Sequence, residues 1–96
     1  MAYNLMAISE LPFDWDAVNK AFQNVDHKFE IFPIADAAIG DAIGISIPTK
    51  RFNHQAWKHT SQFLTALGES YPLHVYDLYL GCEIDIKTYV PDSLED

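Results

Sequence analysis

The spacing of apolar residues switches along this chain between the period of a strand and the period of a helix, and that switching leaves few folds open. Tyr3 to Ile8 is a short apolar run closed by Ser9-Glu10-Leu11-Pro12, too short for a helix, and its two-sided apolarity predicts a central strand. Trp15, Val18, Phe22 and Val25 then recur at steps of three and four, an amphipathic helix. Asp14 is placed to cap it, Asp16 complements its dipole, and Phe13 and Val18 have the spacing of a hydrophobic staple.

From Lys28 to Ile34 the pattern is strand-like, but Pro33 cannot donate to a ladder, so this segment is expected at a sheet edge. Beyond the turn-prone Asp36, Gly40 and Asp41, Ile43, Ile45 and Ile47 alternate with Gly44 and Ser46 and are expected to face the core. A second helix follows, with Asn53 as cap, Phe52 before it, and a stripe of Ala56, Trp57, Thr60, Phe63, Leu64 and Leu67 ended by Gly68 and Pro72. Last, Tyr76, Leu78, Leu80, Cys82, Ile84 and Ile86 alternate with polar residues. That run either forms one long strand, the preferred reading, or divides into a hairpin near Gly81.

The order strand, helix, strand, strand, helix, strand predicts an α+β two-layer sandwich. It is the ferredoxin-like β-α-β-β-α-β arrangement, with an antiparallel sheet and both helices on one face. Residues 1–91 are expected to form one domain, since 96 residues leave no room for a second core, and residues 92–96 to be a frayed acidic tail.

Fourteen carboxylates against six Lys and Arg give a formal charge of -8, which repels phosphates and anionic lipid and favours basic protein partners. Direct nucleic-acid binding is therefore not expected, and membrane insertion is not expected because no apolar stretch approaches the roughly 20 residues that span a bilayer. A lone cysteine permits no internal disulfide, and the first residues lack the pattern of a signal peptide, so a cytoplasmic location is expected.

Residues that carry chemistry are scattered. His27, His54, His59 and His74 make no metal set, because His54 and His59 are five apart and diverge on a helix. Cys82 falls in the apolar register and reads as a small buried hydrophobe. Asp14/Asp16 and Asp36/Asp41 read as solvated charge, and Gly40 to Gly44 lacks the Lys and following helix of a phosphate loop. Lys50-Arg51, with His54 and Lys58, is the one basic concentration and reads as a solvated helix start. No catalytic residue, metal or cofactor is expected.

What remains is an acidic, aromatic-dotted face of the last strand, on which Asp77, Tyr79, Glu83 and Asp85 are expected to be exposed and to contact a partner. In size, charge and lack of catalytic residues the chain resembles the broad group that includes toxin immunity proteins and phage-encoded inhibitors such as anti-CRISPR proteins. That likeness implies a non-enzymatic protein that occludes a basic site on another protein, such as a nuclease or other nucleic-acid-handling enzyme. The alternative is a homodimeric ferredoxin-like domain that binds or converts a small molecule, with Tyr76, Cys82 and His74 lining a cavity. Strand addition at the edge that contains Pro33 is a third possibility, disfavoured by the proline itself.

Overall fold

The computed structural model describes residues 2–25, 29–36, 40–48, 50 and 53–91. Along the chain run β1 (Ala2–Ser9), α1 (Trp15–Gln23), β2 (Glu30–Asp36), β3 (Gly40–Pro48), α2 (His54–Gly68), β4 (Leu73–Asp77) and β5 (Cys82–Ile84). The five strands form one antiparallel sheet in the order β2-β3-β1-β4-β5, so the protein is α+β and β1 is its central strand. His27, Lys28, Arg51, Phe52 and residues 92–96, named above, lie outside the described residues.

Both helices begin as their local chemistry dictates. Asp14 accepts from the Asp16 amide at 3.0 Å, and Asn53 Oδ1 accepts from the Ala56 amide at 2.8 Å, each satisfying a donor that the first turn leaves unpaired. Val18, Trp57, Phe63, Leu64 and Leu67 then pack with Leu5, Ala7, Ile43, Ile45, Ile47 and Val75 in a single core. Both helices therefore cover the same sheet face. Each fully buried Leu, Ile or Phe contributes about 1.5–3 kcal/mol through water removed from its surface. Phe22, Phe29 and Phe63 meet there, two of the contacts edge-on. The buried Thr60 hydroxyl donates back to the Ala56 carbonyl and is satisfied.

The exact β-α-β-β-α-β order is not adopted, because the expected long strand divides into a hairpin. β4 ends at Asp77, Gly81 turns the chain with a φ of +72°, and β5 pairs back with Asp77 opposite Cys82 and Val75 opposite Ile84. Only glycine enters that left-handed region without steric cost. The fold-back also reverses which residues point inward. On a continuous strand Cys82 and Ile84 would share a face with Tyr76, whereas in this hairpin they share one with Val75 and Asp77.

One expectation falls with that reversal and a second with how far the helices reach. Asp77 lies on the core side, beside Leu5, and is 0% exposed. Cys82 also lies on the core side, yet it is exposed. A helix about 10 Å wide covers roughly two strands spaced about 4.8 Å apart, so two helices cover about four and leave β5 outside.

Candidate interaction surface

Asp77 is a structural clamp. Its Oδ1 accepts from the amides of Tyr79 at 2.8 Å and Leu80 at 3.1 Å, while its Oδ2 accepts from the Tyr3 hydroxyl and from the Tyr89 hydroxyl at 3.2 Å. Four donors thus satisfy a carboxylate that water does not reach. Burial, followed by the hydrogen bond to Asp77, pushes the Tyr3 hydroxyl well above the ordinary tyrosine range, so it stays protonated and donating. Trp57 braces the cluster: its ring stands edge-on to Tyr3 and Tyr89, and its Nε1 donates to the Tyr89 carbonyl at 3.1 Å.

The clamp holds the turn between β4 and β5, and the turn projects apolar side chains into water. Leu78 is 49% exposed, Tyr79 85% and Leu80 50%. The Leu78 amide donates to the Asn4 carbonyl at 3.1 Å, which continues the register of β4 against β1 and ties the turn to the sheet.

Behind the turn lies the sheet face that neither α1 nor α2 covers. One row crosses all five strands in register: Phe32 on β2, Gly44 on β3, Met6 on β1, Tyr76 on β4 and Glu83 on β5. The next row runs through Ile34, Ala42, Ile8 and His74. The Phe32 ring lies directly over Gly44, where an added Cβ would stand 2.2 Å from it, so the glycine makes room for an aromatic ring on an open surface. Phe32 remains 44% exposed.

Carboxylates rim this apolar centre. Glu30 precedes Phe32 by one same-face position, Glu83 ends the row at Tyr76, and Glu10 lies 3.6 Å from His74. His74 Nδ1 also meets Glu83 at 3.3 Å, and that hydrogen bond, ahead of the charges of Glu83 and Glu10, raises the affinity of the imidazole for its proton. No Lys or Arg occupies an open-face strand position among the described residues.

Of the four sequence candidates, the structure brings Glu83 to this rim, places Tyr79 at the exposed turn and Asp85 just past β5, and removes Asp77 to the interior. Tyr76 and His74 share the open face, but Cys82 points to the other side, so those three do not line one cavity. Among the described residues no cluster of three or more His, Cys, Asp or Glu is arranged to hold a metal, and no helix is long and apolar enough to cross a membrane. Asp14 and Asp16 belong to a helix cap, while Asp41 and Lys50 are exposed.

Met6, Ile8, Phe32 and Ile34 were not singled out in the sequence as surface residues. The two-sided apolarity of Tyr3 to Ile8 and the small residues at 42 and 44 were the signals available for them. No protein-family model, curated protein or solved structure matches the chain.

Proposed function

We propose that this is a small, acidic, non-enzymatic binding protein that occludes a basic site on another protein. The observation that carries the reading is the open sheet face, an apolar centre rimmed by Glu10, Glu30 and Glu83 and free of Lys and Arg among its described positions. Aromatic and aliphatic side chains such as Phe32, Tyr76 and Leu78 supply desolvated anchors, and the carboxylates steer a cationic surface into contact. An inhibitor or immunity-type protein that blocks a nuclease or other nucleic-acid-handling enzyme fits this chemistry, because such enzymes present basic channels to phosphates. In this reading the frame is a ferredoxin-like unit of β2-β3-β1-β4 with α1 and α2, to which β5 is added.

A second copy of the chain is the competing occupant, as in a homodimeric ligand-binding domain. Its carboxylates would meet their own counterparts, which opposes close approach. Measurement of association with a captured partner at low salt tests the reading. Glu30→Lys combined with Glu83→Lys is expected to slow association by about tenfold or more, and Phe32→Ser to speed dissociation. Unchanged rates in both variants would remove this face from the interaction, and a dimeric mass for the isolated chain in light scattering would favour the second copy.

A further inference from the structure

β5 stands beyond the helix layer, and the space this leaves is a groove of about 750 Å³ between the C-terminal half of α2 and the inward side of the β4–β5 hairpin. Leu64, Leu73, Val75, Ile84 and Ile86 give it an apolar floor, and Glu69 and Asp85 stand beside it against a single cation, Lys87, while the carboxylate of Glu83, also at its edge, reaches His74 on the open face. On the helical wall, Gly68 contributes no side chain, and a Cβ added there would meet nothing within 4 Å.

We propose that this groove takes an extended cationic segment of a protein partner, laid alongside β5, with aliphatic side chains on the floor and Lys or Arg beside Glu69 and Asp85. Three features support that occupant. β5 is a sheet edge. In an antiparallel ladder alternate residues turn their N–H and C=O to opposite sides, and the bond from Leu78 to Asn4 directs Leu78 and Tyr76 towards β1 and hence Val75 and Asp77 towards β5. Glu83, which lies between the partners of Val75 and Asp77, therefore turns its N–H and C=O outward, where an added strand can bond them. The opposite edge, β2, carries Pro33 and has one donor fewer.

The second feature is the alternation of an added strand. It sends every other side chain onto the apolar floor. The third is charge, since Glu69 and Asp85 against one Lys favour a basic segment. The chain's own residues after Pro91, Asp-Ser-Leu-Glu-Asp, have the wrong sign to fill the groove.

This inference does not depend on the proposed function, because the groove opens on the opposite side of the sheet from Phe32 and Met6. Methyl NMR on the full chain tests it, with a short synthetic peptide that alternates lysine and leucine as the probe and a glutamate–leucine peptide as the comparison. Saturable shifts at Leu64 and Ile84 with the lysine peptide alone are expected. Gly68→Leu, which fills the groove at a position where a helix welcomes leucine, is expected to weaken binding by about tenfold. Glu69→Gln with Asp85→Asn is expected to weaken it several-fold, more at low salt than at high.

Equal binding by the Gly68→Leu variant, or by the glutamate peptide, would overturn the proposal. Shifts confined to Met6 and Ile8 would overturn it too, and would instead place the cationic probe on the open face.

Discussion

The two faces of this sheet invert the usual division between inside and outside. The helix-covered face encloses a carboxylate, Asp77, with no exposure, while the open face carries Phe32 and, with the adjoining turn, Leu78 in water. Charge is tolerated inside because four donors converge on it. On the open face, Phe32 and Tyr76 have a rim of carboxylates and, among the described residues, no covering element. A polar group within a core that satisfies it completely is a structural feature, and an apolar group at an uncovered surface is the stronger sign of an external contact.

The largest expected effect breaks the inner half of that comparison. Asp77→Ala strips four donors of their acceptor and is expected to cost about 3–5 kcal/mol, read as a lower urea midpoint at unchanged m-value. A loss below about 1 kcal/mol would mean that water replaces the carboxylate and that the clamp is not structural. A smaller effect separates the clamp from the turn it holds. Gly81→Ala must adopt a φ of +72° and is expected to cost about 1–2 kcal/mol while leaving the core intact. Faster amide exchange confined to residues 78–81 would accompany it, whereas exchange faster throughout would show that the turn and core do not separate.

What could be read in advance was what local chemistry determines. Asp14 and Asn53 cap helices through side chains within three residues of the donors they satisfy, and Ile43, Ile45 and Ile47 reach the core by simple alternation. The two-sided apolarity of Tyr3 to Ile8 marked β1 as central, as it is. The last third of the chain was less legible, since its turn depends on Gly81 and on an acceptor whose hydroxyl donors are Tyr3 and Tyr89. Once the hairpin closes, face assignment flips on one side of the turn, which sends Asp77 in and Tyr76 out. The register of Cys82 was legible but not its exposure, because exposure depends on how many strands two helices can cover. The open face was invisible for a related reason: Phe32, Met6 and Tyr76 become neighbours only through pairings between distant segments.

The smallest expected effect probes the rim of the open face. His74 lies 3.3 Å from Glu83 and 3.6 Å from Glu10, and its affinity for a proton is raised, first by the hydrogen bond to Glu83. A raised value in the folded state means that folding favours the protonated ring. The contribution is therefore fully present below the ordinary histidine value of about 6.5 and is lost as pH rises through the higher folded value. His74→Gln is expected to lower stability slightly in acid and not at all in mild alkali, with the difference shrinking as salt is added. An NMR titration midpoint at or below that of a free imidazole would contradict the pairing, as would a stability difference that grew with pH. The protonated ring also offsets part of the negative rim, so the proposed basic partner should associate more slowly with the wild-type face in acid, and His74→Gln should remove that dependence.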